Sequence, residues 1–210
     1  MKIKTILVCI ILTVSIFLIY LTNIDKKIYY VSINDYKKDS LKKYDEFLLK
    51  SINNLEIFIN EFSNENLRLT DVINNIEKNV EIKKGNKKIS IKHALIKADI
   101  LTLSLGNNEL LYKIKTQSNN LYDTIDQIID DYDNLLNVIR TYCKEKIFVI
   151  GINYKTEDEK IINVIKYYNK KLKDLSKSYN INFIDITIND EVKQNEEIAQ
   201  NINKILKNNN

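Results

Sequence analysis

Five short apolar runs alternate with longer stretches whose apolar residues recur every three or four positions, and this rhythm predicts the elements of the chain. Ile28 to Ile33 reads as a first strand. Leu41, Tyr44, Leu48 and Ile52 then share one helical face across Ser40 to Ile52. Leu55 to Phe62 alternates Leu55, Ile57 and Ile59 against Glu56, Phe58 and Asn60, the pattern of a half-exposed second strand. Thr70 to Asn79 carries Val72, Ile73 and Ile76 on one face, with Thr70 placed to cap it. Between Val80 and Ile91, two alternating triplets flank Lys83-Lys84-Gly85-Asn86-Lys87-Lys88, which predicts a two-stranded ribbon closed by a tight primed turn. Its lysines read as solvated edge charges, with attraction to phosphates or lipid headgroups as the alternative.

Ile100 to Leu105 is the expected central strand. Leu121, Ile125, Ile128, Tyr132, Leu135 and Ile139 mark a long helix whose other face carries Asp123, Asp126, Asp130 and Asp133. Those acids lack the glycine and terminal glutamate of a calcium loop and read as a solvated face. Lys146 to Ile152 is nearly all apolar, as in a strand buried on both sides. Ile161 to Leu175 forms another amphipathic helix, Ile181 to Ile186 a fifth strand, and Ile198 to Leu206 a closing helix. Such alternation predicts a three-layer α/β/α domain around a mainly parallel five-stranded sheet. No Pro- or Ser-rich linker and no internal repeat divides residues 28–210, so they are expected to form one domain.

The amino terminus departs from this rhythm. Ile6 to Ile24 is an apolar run about as long as a tilted helix needs to cross a bilayer. Lys2, Lys4 and the free amine precede it and favour a cytoplasmic amino end, a bias that Lys26 and Lys27 weaken. A cleaved signal peptide would need small residues after the run, and Tyr20-Leu21-Thr22-Asn23 does not supply them. Cys9 follows Val8, where a bacterial lipobox has a small residue. Residues 1–27 are therefore expected to be an uncleaved single-pass anchor in a bacterial cytoplasmic membrane, with the domain on the outer side.

At 210 residues the chain has room for one α/β domain with a genuine core, and 44% hydrophobic content excludes a largely disordered protein. The balance of 32 basic and 28 acidic residues leaves a net charge of +4, too little to argue for nucleic acid. Lys, Asn and Ile dominate while Pro and Trp are absent, a bias of AT-rich coding that drains meaning from lysine and asparagine abundance. Cys9 lies in the apolar run and Cys143 before the fourth strand, so no disulfide forms within the domain, and Cys143 reads as buried filler. Nothing in the pattern asks for a cofactor or a metal, and oligomeric state is left open.

Candidate chemistry concentrates in Ala98 to Leu111, where a buried strand ends in Gly106-Asn107-Asn108 and a helix begins. Gly106 falls where the backbone must turn out of the sheet. An asparagine just past a parallel strand sits where open α/β sheets bind ligands. Its amide can donate to a developing oxyanion; Asn107 and Asn108 also fit as helix caps. With Gly106, Asn108 and Glu109 at its Gly, Asn and Asp positions, the block resembles the G-x-N-D segment of the SGNH (GDSL-type) hydrolases. Ile28 to Tyr36 resembles that family's first strand and nucleophile turn, with Asn34-Asp35-Tyr36 where Gly-Asp-Ser is usual. The resemblance runs from about Ile28 to Leu206 and implies a flavodoxin-like SGNH-hydrolase fold in which Asp35, Tyr36, Gly106 and Asn108 are vestigial site positions.

What the resemblance does not supply is a working triad. The family places its base in an Asp-x-x-His segment before the final helix, yet Asp185 to Val192 contains no histidine. The one histidine, His93, precedes the central strand and reads as a surface or packing residue. Asp39-Ser40-Leu41 resembles the motif's Asp-Ser-Leu, but Ser40 lies several residues beyond the strand end, better placed to cap a helix than to act as a nucleophile. Phe62 to Asn66 lacks the family's second glycine, and the phenol of Tyr36, with an ordinary pKa of about 10, has no evident base beside it. The resemblance thus implies a degenerate member, a binding or scaffold module for an acylated glycan or lipid. The alternative is an acyl-ester hydrolase that uses Ser40, with Asn108 stabilising the oxyanion.

Overall fold

In the computed structural model the described residues are 27–35, 56–84, 87–116, 120–152, 156–186 and 191–207. The expected anchor Ile6 to Ile24, the expected helix Ser40 to Ile52, and both Tyr36 and Ser40 lie outside them. Among the described residues no helix is long and apolar enough to cross a membrane.

In chain order the strands are β1 (Lys27–Asn34), β2 (Glu56–Ser63), β3 (Glu81–Lys84), β4 (Lys87–Ser90), β5 (Ile100–Ser104), β6 (Lys146–Ile150) and β7 (Asn182–Ile184). The helices are α1 (Leu69–Glu77), α2 (Ile91–Lys97), α3 (Asn107–Thr116), α4 (Leu121–Tyr142), α5 (Glu159–Ser178) and α6 (Glu191–Lys207). Five strands form one sheet in the order β2-β1-β5-β6-β7, and every pairing in it is parallel. β3 and β4 form the antiparallel ribbon that the alternating triplets predict.

Period-two alternation divides the apolar residues of the strands between two cores. Val31, Ile33, Leu101, Leu103, Ile147 and Val149 face one side, where Val72, Ile76, Leu95, Ile128, Tyr132 and Leu172 of α1, α2, α4 and α5 cover them. Tyr30, Ile100, Phe148, Ile150 and Ile184 face the other side and meet Ile198, Ala199 and Ile202 of α6. The result is the expected three-layer α/β/α arrangement. Because both faces are covered, every residue of β5 is buried. β2 is an edge strand, and Phe58 and Ile59 remain exposed on it.

Three elements differ from the sequence pattern. α1 begins at Leu69 with Arg68 at its N-cap, so Thr70 lies inside the helix rather than capping it. Ile91 to Lys97, between the ribbon and the central strand, is a short helix to which the pattern assigns no element; Ser90 caps it, its Oγ accepting the His93 N–H at 3.1 Å. α6 begins at Glu191, ahead of the expected Ile198; its first turns, Glu191 to Glu197, are mostly polar and carry no periodic apolar signal by which the pattern could reveal them.

The smaller core makes α6 a structural layer in its own right. Ile202 is fully buried there, so Ile202→Ala should cost about 2–5 kcal/mol of unfolding free energy. Urea titration followed by far-UV circular dichroism measures it. An unchanged midpoint would mean that α6 does not pack on the sheet.

Candidate functional site

The order β2-β1-β5-β6-β7 reverses direction between β1 and β5, and the carboxyl ends of these two strands meet at that switch point. Open α/β sheets bind ligands at such a place. It is also where the buried polar residues gather. Of the eight among the described residues, Ser32, Asn34, Asp35, Thr102, Ser104 and Asn107 belong to this end of β1, β5 and α3.

Strand register accounts for the cluster. Ser32 lies opposite Thr102, and Asn34 opposite Ser104. Tyr30 and Thr102 share a hydrogen bond between their hydroxyls at 2.8 Å. Asn34 Nδ2 donates to Ser32 Oγ at 3.2 Å, and Asn107 Nδ2 donates to Ser104 Oγ at 2.9 Å. This ladder was written in the sequence as polar residues at every second position of two apolar strands. Alternation alone reads as an exposed face, and only the cover on both sides of the sheet makes it a buried one.

Gly106 turns the chain from β5 into α3 with φ of +76°, a conformation that residues with a Cβ rarely adopt. Space is tight as well: a Cβ there would stand 3.1 Å from Ile128 Cγ2 and 3.2 Å from Tyr168 Oη, and both neighbours would have to give by a few tenths of an ångström. The Tyr168 hydroxyl donates to Leu105 O at 3.2 Å, so α5 holds the turn from outside. Leu110 N–H donates to Gly106 O at 3.0 Å and closes the first turn of α3.

Asn108 joins three strand ends with one residue. Its backbone N–H donates to Asp35 Oδ2 at 2.9 Å. One hydrogen of its side-chain amide goes to the Asp35 carbonyl. The other goes to the Glu65 carbonyl at 3.0 Å, just past β2. The amide that the family resemblance would turn toward an oxyanion is here bound to the protein's own carbonyls.

Asp35 follows the last residue of β1, and its carboxylate lies against the amino-terminal end of α3, where backbone N–H groups and the helix dipole favour an anion. Burial is the stronger influence. It pushes the carboxyl from an ordinary 3.8 up to about 6, against the N–H groups of Asn108 and Asn107 that pull it down. Asp35 Oδ1 has no hydrogen-bond partner among the described residues.

The other sequence candidates stand elsewhere. Glu109 lies in the first turn of α3. His93 is exposed in the first turn of α2, before β5 begins, with the length of β5 (roughly 17 Å at 3.3 Å per residue) between that end of the sheet and Asn108. Cys143 is buried, and burial raises its thiol pKa, which suits filler rather than a nucleophile. Of the four acids on α4, Asp126 accepts a hydrogen bond from the Tyr167 hydroxyl and an ion pair from Lys171, and Asp133 accepts from the Tyr179 hydroxyl. They tie α4 to α5.

No protein-family model and no curated protein matches this sequence. Solved structures do match its fold. An acetylxylan esterase from Geobacillus stearothermophilus superposes with a TM-score of 0.59 at 11% identity, over 85% of this chain and 93% of that one. An extracellular lipase from Streptomyces rimosus gives 0.52 at 13% identity, over 76% and 80%. A GDSL-like lipase from Parabacteroides merdae gives 0.53 at 14% identity, over 76% and 77%. At such identities the likeness is one of fold, and the fold is that of the SGNH-type hydrolases.

Two outcomes follow from this geometry. Gly106→Ala should destabilise the protein by about 1–3 kcal/mol, through a strained φ and contact with Ile128 and Tyr168; chemical denaturation reads the loss. Asp35 concerns pH. The folded state holds its proton near 6 against 3.8 when unfolded, so its contribution is complete below about pH 4 and is lost as pH rises through 6, a change of the order of 3 kcal/mol. Asp35→Asn keeps an oxygen to accept the Asn108 N–H and removes the titration. Unfolding titrations from about pH 4 to pH 8 should therefore show a flatter profile for the variant and greater stability than wild type at the alkaline end. Superimposable profiles would show that Asp35 ionises normally.

Proposed function

We propose that this protein is a catalytically degenerate SGNH-fold module, anchored by residues 6–24 with its domain on the outer side of a bacterial cytoplasmic membrane. It binds an acylated glycan or lipid at the carboxyl ends of β1 and β5 without hydrolysing it. The observation that carries this reading is the occupation of Asn108, whose two amide hydrogens already serve Asp35 and Glu65. An oxyanion hole needs donors that are aimed at developing charge and not committed elsewhere.

The missing partners point the same way. The position aligned with the nucleophile is Tyr36, and the one histidine, His93, stands before β5 rather than near the final helix. Two solved variants of the Geobacillus stearothermophilus esterase are described as catalytic mutants, one changing a serine and the other a histidine to alanine. Absence of a general base alone removes roughly a hundredfold or more in rate. A buried ladder and a self-filled helix end suit a site that holds its shape.

The competing reading, an acyl-ester hydrolase using Ser40, makes a contrary prediction. Purified full-length protein should take up no fluorophosphonate probe and turn over short-chain nitrophenyl esters no faster than buffer. Labelling that is lost in Ser40→Ala would establish the hydrolase instead.

A further inference from the structure

In an all-parallel sheet every strand starts at one end and finishes at the other. The finishing end holds Asp35 and Asn108; the starting end has a different character. β1 begins there at Lys27. Asp99, just before β5, binds Tyr29 twice, its N–H donating to Tyr29 O at 2.9 Å and its Oδ2 accepting the Tyr29 N–H at 2.8 Å. The β3–β4 ribbon belongs to the same end. It leads directly into α2, where Lys92 Nζ lies 4.7 Å from the ring centroid of Tyr142, the last residue of α4 before β6 starts.

This end is both basic and apolar. In the ribbon's register Lys83 stands opposite Lys88 and Lys84 opposite Lys87. Like charges directly across a ladder destabilise it, and a two-stranded ribbon is marginal in water even without them. The Lys88–Glu81 ion pair, 3.7 Å long and exposed, offsets little of that. Lysines at helix carboxyl ends answer the helix dipole, but a ribbon has none to answer. Phe58, Val80, Ile82 and Ile96, four of the seven large apolar side chains exposed among the described residues, also lie here. Phe58 stacks on Tyr29 with centroids 5.2 Å apart, and Lys27 Nζ lies 5.7 Å from the Phe58 ring. Aromatic rings beside lysines are characteristic of a membrane–water interface.

We propose that the starting end of the sheet lies on the membrane surface, with the ribbon lysines among anionic phospholipid headgroups and Phe58, Val80 and Ile82 at the headgroup boundary. The proposal rests on reading residues 6–24 as an anchor, because Lys27 then leaves the bilayer almost where β1 begins. Two attachments, one spanning and one interfacial, hold the sheet upright. The Asp35–Asn108 end then faces away from the lipid, by about the 26 Å length of β1.

The test uses full-length protein in nanodiscs of phosphatidylcholine, with and without phosphatidylglycerol, and hydrogen–deuterium exchange of residues 80–90. Incorporation into discs reads the anchor; protection of the ribbon reads the docking. Ribbon amides should exchange roughly fivefold or more slowly in the anionic discs. Salt at about 0.5 M should reverse the effect by screening. Lys83→Glu/Lys88→Glu should abolish it, and the milder Lys83→Gln/Lys88→Gln should weaken it. Equal exchange of the wild-type ribbon in both discs would overturn the proposal. A chain that fails to incorporate contradicts the anchor reading alone. The same protein mixed with phosphatidylglycerol vesicles still reports on the ribbon, protection supporting docking and its absence overturning it.

Discussion

Parallel pairing of β1 with β5 imposes the conditions that the rest of the domain meets. Both strands finish side by side under cover on both faces, so their last backbone donors and acceptors run out together in a place sheltered from water. An unmet buried group costs about 1–3 kcal/mol. The chain meets them internally. Asp35 N–H donates to Ser104 O at 3.0 Å, Asn64 N–H donates to Asn34 O at 3.2 Å, and Asn108 reaches back to Asp35 and across to Glu65. None of this works unless α3 starts immediately after β5, which in turn requires a left-handed residue at position 106. Glycine at the turn and asparagine two residues later are thus one requirement. They are explicable by backbone satisfaction alone, with or without chemistry at the site.

That dependence explains what the sequence pattern reveals and what it conceals. β6 is legible as an apolar run from Ile147 to Ile150 because a doubly covered strand needs no polar face. β5 is legible from Ile100, Leu101 and Leu103, although Thr102 and Ser104 interrupt it with buried polar residues. α4 is legible because its apolar residues repeat over 22 residues. α2 is not, since seven residues are too few for periodicity to separate a helix from a strand. At the site, Gly106 and Asn108 can be recognised by residue type and by their position at a strand end. The use of the Asn108 amide cannot be, because its partners lie 73 and 43 positions away in the chain. The ionisation of Asp35 is equally hidden, for nothing local in Asn34-Asp35-Tyr36 announces burial.

Asp35 also shows where stability gives way. A carboxyl with one oxygen unpartnered among the described residues, buried until its pKa reaches about 6, is a local conflict in the fold. Such conflicts concentrate at functional or strained positions, and here the conflict, the left-handed turn and the buried ladder coincide at the switch point. The carboxylate occupies the helix end where an external anion would otherwise bind. An anionic headgroup or phosphate therefore meets a like charge at that position above about pH 6, and a neutral polar ligand does not.

The two ends of the sheet then sort the candidate ligands by chemistry and by reach. A basic starting end with exposed aromatic and aliphatic side chains suits anionic lipid. A finishing end that buries its own carboxylate among hydroxyls and amides suits uncharged hydroxyl-bearing groups. If the ribbon holds the starting end on the bilayer, the finishing end stands about 26 Å away, too far to meet headgroups of the same membrane. Between the two partners that fit the proposed module, distance and charge both favour the acylated glycan. Such a ligand brings ester and hydroxyl oxygens without a phosphate, and in the proposed orientation it would reach the site from the side away from the lipid.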